Sequence, residues 1–160
     1  MKITKELLKE KGACADGYRD FLREYPVDKY PDGVEYQELL DCCAEKNFSY
    51  GSWLLGAFGK TDEVRKIGGD LIAEKGIIFA GQLEAEGCIK AGWGIEAGWG
   101  IEAGYGIEAG DGIEVGDEFG IYAGLCCRVT NKTLRKIIAK ERPENIMCGE
   151  FEEKSDSEGK

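Results

Sequence analysis

Carboxylates recur at a fixed interval through the middle of this chain. Glu84, Glu96, Glu102, Glu108 and Glu114 fall on one six-residue grid that is broken only at Lys90, and Asp111, Asp117 and Glu118 stand close to it. From Ala91 to Cys127 there are seven acidic residues and no basic one. Evenly spaced carboxylates on a rigid repeat can attract a basic partner, hold a divalent cation, or keep a sheet soluble. No known calcium-loop spacing accompanies them, so no metal is expected. The candidate partner-binding carboxylates are Glu84, Glu96, Glu102, Glu108, Glu114, Asp111 and Asp117. Trp93, Trp99 and Tyr105 share the same period and are the candidate apolar anchors for that partner; their alternative use is to pack beneath a neighbouring unit.

Other chemistry is poorly provided for. The 160 residues contain no histidine, which removes the commonest general base, the commonest metal ligand and every histidine-dependent triad. None of the seven cysteines (Cys14, Cys42, Cys43, Cys88, Cys126, Cys127, Cys148) forms C-x-x-C, so they read as reduced, small apolar residues. Strings such as Gly92 to Ala97 match G-x-G-x-x-A, but no helix can follow them, so no dinucleotide cofactor is expected. A net charge of −10 opposes direct nucleic-acid binding. No stretch approaches the length of a bilayer span, so a cytoplasmic, non-enzymatic protein is expected.

The grid also defines the architecture. Every sixth residue from Leu71 is apolar (Ile77, Leu83, Ile89, Ile95, Ile101, Ile107, Ile113, Phe119, Leu125). So is the residue two places later (Ala73, Phe79, Ala85, Ala91, Ala97, Ala103, Ala109, Val115, Ile121). In Ile-Glu-Ala the outer residues point to one side of an extended segment and the glutamate to the other. Two glycines in every six residues exclude a helix, and Gly-x-Gly permits sharp corners with unusual backbone angles. The spacing predicts a short parallel β-solenoid of three-residue strands, three faces and 18 residues per turn. Residues 63–127 then supply about three coils, with Glu84 beneath Glu102, Glu96 beneath Glu114 and Lys90 beneath Glu108.

Ahead of the repeats, Ile3/Leu7/Leu8, Tyr18/Phe21/Leu22, Tyr36/Leu39/Leu40 and Trp53/Leu54/Leu55/Phe58 recur at helical spacing, giving a small α-helical unit over residues 1–62. Asp16 is the expected N-cap of the second helix, and the third is expected from about Val34 to Glu45. After the repeats, Asn131 is expected to cap a helix through Leu134, Ile137, Ile138 and Ala139, stopped by Pro143, so that residues 128–150 close the solenoid. Residues 151–160 read as a solvated tail. The fold class is thus mixed: a β-solenoid with a helical N-terminal unit and a C-terminal capping helix.

Gly-x-Ile-x-Ala resembles the repeat of bactofilins, bacterial scaffold proteins with a parallel β-helix. The helical unit, the segment Gly94 to Trp99, the segment Gly120 to Leu125 and the stretch Lys140 to Asn145 together resemble phage and prophage proteins that join such a unit to Gly-Ile-Glu-Ala-Gly repeats. Left-handed hexapeptide acyltransferases place a small residue two positions before the aliphatic one, where this chain has Trp93, Trp99 and Tyr105. The prophage resemblance implies a bacterial host cell. With the acidic repeats, the expectation is an interaction protein that occupies, and as a nucleic-acid mimic inhibits, a basic host protein in defence or nucleic-acid processing. The bactofilin resemblance implies the second expectation, a self-assembling scaffold and hence a homo-oligomer.

Overall fold

A computed structural model describes residues 1–116, 118–128 and 130–155. The helical unit begins with β1 (Lys2–Ile3), then α1 (Lys5–Glu10) and α2 (Ala15–Glu24). β2 (Val34–Glu35), which pairs antiparallel with β1, leads into α3 (Tyr36–Lys46) and α4 (Gly51–Phe58). The Thr4 hydroxyl accepts from the Leu7 N–H at 3.2 Å and caps α1. The cap of α2 is Cys14, whose sulfur accepts from Gly17 N–H at 3.3 Å. Asp16, expected there, lies inside the first turn and pairs with Arg19. Val34, expected to open α3, is claimed instead by the two-stranded ladder with Ile3. Ile3, Leu8, Phe21, Val34, Tyr36, Leu40 and Leu54 form this unit's core.

The solenoid follows as β3 (Val64–Ile67), β4 (Leu71–Ala73), β5 (Ile77–Phe79), β6 (Gln82–Ala85), β7 (Ile89–Ala91), β8 (Ile95–Ala97), β9 (Ile101–Ala103), β10 (Ile107–Ala109) and β11 (Ile113–Val115). It ends with β12 (Ile121–Ala123), β13 (Lys136–Ala139), β14 (Ile146–Cys148) and β15 (Glu150–Glu153). All pair in parallel. Face 1 is β3-β6-β9-β12-β14, face 2 is β4-β7-β10-β13-β15, and face 3 has only β5-β8-β11. The stack therefore has about five turns rather than the three expected, because pairing extends beyond the regular repeats at both ends. Ile89, Ile95, Ile101, Ile121 and Ile137 are 0% exposed, and each such buried side chain contributes about 1.5–3 kcal/mol.

Three expectations are corrected here. Phe119 and Leu125 are exposed; the corner from Val115 to Ile121 has five residues where that from Ala97 to Ile101 has three, so Ile121 stacks on Ile101. The C-terminal capping helix is a single 3₁₀ turn, Lys132–Arg135, and Ile137 and Ala139 are buried in β13. The open edge of β10 offers a backbone ladder and two buried positions to an Ile-Ile-Ala segment, which outweighs a marginal isolated helix. Phe151, expected to open a tail, pairs with Ile137 in β15; residues 156–160 lie outside the described residues.

The repeat glycines are not in the left-handed region, contrary to the unusual angles expected of them. They are needed for clearance: a Cβ at Gly92, Gly98, Gly104 or Gly110 would overlap the carbonyl oxygen of Glu74, Ala80, Glu86 or Gly92 in the coil below.

The first coil is closed by side chains. The Gln37 amide donates to Ile78 C=O at 2.7 Å and accepts from Ala80 N–H at 3.2 Å, so α3 pairs with the free edge of β5 through a glutamine. Arg65 occupies an inward position, in register with Leu83, and its guanidinium covers the Phe79 ring at 4.3 Å. At the far end Arg142 covers Phe151 at 5.7 Å. An inward charge on a terminal strand, as Arg65 is on β3, protects that edge from pairing with other chains. Replacing Gln37 with Ala should lower stability by about 1–3 kcal/mol in denaturant unfolding, through the loss of both bonds at a buried edge. Arg65→Leu should produce concentration-dependent self-association by light scattering, with the unsubstituted protein monomeric; a monomeric variant would remove the protective role of Arg65.

Candidate functional site

The structure sets the sequence-selected carboxylates on three different faces, each in a different electrostatic environment. On face 1, Lys66, Glu84, Glu102 and Tyr122 form one outward column. Gln82 holds the two carboxylates together, its amide donating to Glu84 at 3.2 Å and to Glu102 at 3.0 Å. Lys66 pairs with Glu84 at 2.9 Å. A groove of about 280 Å³ beside this column is lined by Glu84, Glu86, Glu102 and the exposed Leu125. Lys66 also lines it, so three carboxylates against one ammonium leave the groove net negative beside an aliphatic wall, which suits the head and stem of a further lysine or arginine.

On face 2, Glu108 is flanked by Lys90 at 3.5 Å and Lys154 at 3.2 Å, so its charge is already met within the chain. Asp111, at the corner that follows, pairs with Lys140 at 2.9 Å. On face 3, Glu96 stacks beneath Glu114. Helix α4 lies across Glu96, and Ser52 donates to it at 2.9 Å, whereas Glu114 is exposed. Burial pushes the Glu96 pKa up, aided by the charge of Glu114 and opposed by the Ser52 hydrogen bond. Asp117 lies outside the described residues.

The aromatic corners diverge as well. Trp99 is tied to the segment that joins the two units: its indole N–H donates to Thr61 C=O at 2.8 Å, Lys60 lies over the ring at 4.7 Å, and Phe119 packs edge-on at 5.3 Å. Trp93 is half-buried, with Lys75 over its ring at 5.3 Å. Tyr105 is exposed. Of the three, Trp99 thus performs a structural task, and Tyr105 presents its ring to solvent.

Sequence reasoning missed the partners that define these environments: Lys66, Gln82, Ser52 and Lys154. Of these Lys66 carried a signal, since it lies one whole turn before Glu84. Among the described residues no three Cys, Asp or Glu side chains converge to hold a metal ion, and no helix is long and apolar enough to cross a membrane. The helical unit carries an open apolar pocket of about 260 Å³ that touches Cys42 and Cys43. Burial raises both thiols, Cys43 to about 12, so both stay protonated near neutral pH and are poor nucleophiles.

These features define a helical unit attached to an acidic parallel β-solenoid with its charges fixed by neighbouring coils. The family described as the YdhT N-terminal domain matches residues 1–58, ending at the last residue of α4. No curated protein and no solved structure matches the chain.

The raised carboxyl of Glu96 has a pH signature. Its folded pKa exceeds the ordinary value near 4.5, so the folded state loses stability from this group as pH rises from that value through the folded one. Glu96→Gln should therefore be more stable than the unsubstituted protein at pH 7, with the difference vanishing below about pH 4. Thermal melts across this range check it; equal melting temperatures at pH 7 would mean that Glu96 is adequately solvated.

Proposed function

We propose that this is a non-enzymatic interaction protein whose acidic solenoid binds a basic protein. The observation that carries the reading is the Gln82-held pair Glu84 and Glu102 on face 1, both partly exposed. Two stacked like charges are unfavourable unless something compensates them. Among the described residues, Lys66 meets the charge of Glu84, and an arriving ammonium or guanidinium would supply a counter-charge for Glu102. Fixed side chains lose little entropy on binding, so this pair is prepared for it. Net charge −10 adds long-range attraction. Glu102, Glu84 and the exposed Glu114 are assigned the main roles, with Tyr105 as the apolar contact; Glu108 and Asp111 are assigned lesser ones because lysines of the same chain already hold them. The resemblance of the repeats to phage and prophage proteins supports a bacterial cytoplasmic setting, with a host nucleic-acid-binding or defence protein as the target and inhibition by nucleic-acid mimicry as the outcome.

The alternative, a bactofilin-like scaffold, would stack coils end to end. Arg65 and Arg142 place like charges over the two ends, and Glu153, in register with the buried Ala139, puts a charge where a further coil would have to bury it, so the monomer is the form proposed to act.

The test is affinity capture from bacterial lysate with the purified protein as bait, at low and at high salt. A basic protein should be held at low salt and released at high salt. The double variant Glu84→Gln, Glu102→Gln should keep its circular dichroism and bind that protein at least about tenfold more weakly. Undiminished capture by the double variant would overturn the assignment of face 1.

A further inference from the structure

Face 3 is missing a strand. In the regular coils the chain leaves face 2 after Ala91 and reaches face 1 at Ile101, and the nine intervening residues, 92–100, build β8 on face 3 with its two corners. After Ala139 the chain reaches face 1 again at Ile146, with only the six residues 140–145 between. The segment is shorter by three residues, the length of one strand of this solenoid. The chain therefore cuts across, and β11 is left as the end of its sheet.

The backbone groups that a missing strand would satisfy can be read from the coils below. Ile77 N–H donates to Gly94 C=O at 3.0 Å, and Ile95 N–H donates to Gly112 C=O at 3.0 Å. Likewise Phe79 C=O accepts from Gly98 N–H at 2.8 Å, and Ala97 C=O from Gly116 N–H at 3.2 Å. The first and third residues of each strand thus face the coil above. For Ile113 and Val115, no strand among the described residues occupies that place. Glycine clearance agrees: a Cβ at Gly76 or Gly94 would meet the carbonyl of the next coil at 3.4 or 3.5 Å, whereas at Gly112 it would meet nothing within 4 Å. A cleft of about 400 Å³ stands there, bounded by Gly112–Val115 on one side and residues 141–145 on the other.

The columns beneath the cleft specify what fits it. The two inward columns, Ile77-Ile95-Ile113 and Phe79-Ala97-Val115, require an aliphatic residue and then a small or aliphatic one. The outward column ends in Glu96 and Glu114, two like charges in succession. On the other faces a lysine sits next to a glutamate at this kind of position, as Lys90 does with Glu108 and Lys66 with Glu84.

We propose that the cleft above β11 binds an extended segment of a protein partner by parallel strand addition, reading an aliphatic–Lys/Arg–small tripeptide. This deepens the proposed function and rests on its basic partner, but it uses a different face from Glu84 and Glu102. Main-chain hydrogen bonds to β11 supply affinity, the two inward pockets set the apolar positions, and Glu114 selects the cation.

The probe is a synthetic blocked peptide, Gly-Trp-Gly-Ile-Lys-Ala-Gly-Trp-Gly, titrated into the isotope-labelled full chain and followed by amide chemical shifts. One-to-one binding is expected, with shifts confined to residues 112–116 and 141–145. The same peptide with Glu in place of Lys, and one N-methylated at the Lys amide that would face β11, should each bind at least about tenfold more weakly. Glu114→Lys, an exposed substitution, should reverse the preference between the Lys and Glu peptides. Absence of binding at millimolar peptide, equal binding of all three peptides, or shifts elsewhere on the molecule would overturn the cleft assignment. The Glu84→Gln, Glu102→Gln variant should bind the peptide unchanged, so that loss of lysate capture with retained peptide binding would count against face 1 alone.

Discussion

Each coil of this protein is built on the backbone of the one below, and parallel pairing at an offset of one whole turn sets every other condition in the structure. Parallel register puts like residue on like residue, so the inward positions cannot vary independently: Leu83, Ile101 and Ile121 form one buried column and Ala85, Ala103 and Ala123 another. The same register brings the carbonyl of one coil against the corner of the next, which is why the first glycine of each Gly-x-Gly cannot carry a side chain. A substitution there would lift one coil off another and weaken two ladders together.

Register also creates the electrostatic problem that the outward side chains must solve. Repeating Ile-Glu-Ala stacks carboxylate on carboxylate, and the three faces resolve this differently. Face 2 interleaves lysine, with Lys90 and Lys154 around Glu108. Face 3 covers Glu96 with α4 and gives it a serine hydroxyl, at the expense of a raised pKa. Face 1 pairs Lys66 with Glu84 and adds a neutral amide, Gln82, which orients both carboxylates and leaves Glu102 without a salt bridge among the described residues. That difference is why face 1 is the best candidate surface for a cationic partner, although all three faces carry the same sequence motif. The motif sets where a glutamate points, and the neighbouring coil decides whether its charge is available.

The solenoid was legible because its signal is periodic and redundant: a single Ile-Glu-Ala says little, but a run of them on a strict grid excludes helix and hairpin alike. The pairs Glu84/Glu102, Glu96/Glu114 and Lys90/Glu108 followed from the same count. Reading failed where the grid was interrupted. Two extra residues before Ile121 moved Phe119 out of the core, and a long corner separates Ala123 from Lys136. Ile137-Ile138-Ala139 does repeat the Ile-x-Ala pattern, a whole number of six-residue steps after Ile107, but its flanking lysines and arginines also fit an amphipathic helix. Local propensity could not arbitrate, because the deciding contact is the open edge of β10, far away in sequence. The environments of the carboxylates were hidden for a similar reason: Ser52 and Lys154 come from segments outside the repeat, and no period points to them.

A solenoid must end, and each end leaves backbone groups without a partner. This chain treats its edges unequally. Gln37 supplies a side-chain amide to β5, Arg65 turns an inward position of β3 into a charge, and Glu153 on the last strand lies in register with the buried Ala139. These devices work by different physics, one satisfying the backbone and the others making a second coil unfavourable to add. Among the described residues no strand covers the outer edge of β11, and that edge lies below the end of the stack. It is flanked by taller faces on both sides, so a second solenoid cannot reach it, and only a single extended chain has the right width. Protection against self-association therefore does not require that this edge be blocked, which leaves it an interior edge where an open ladder is compatible with a stable monomer.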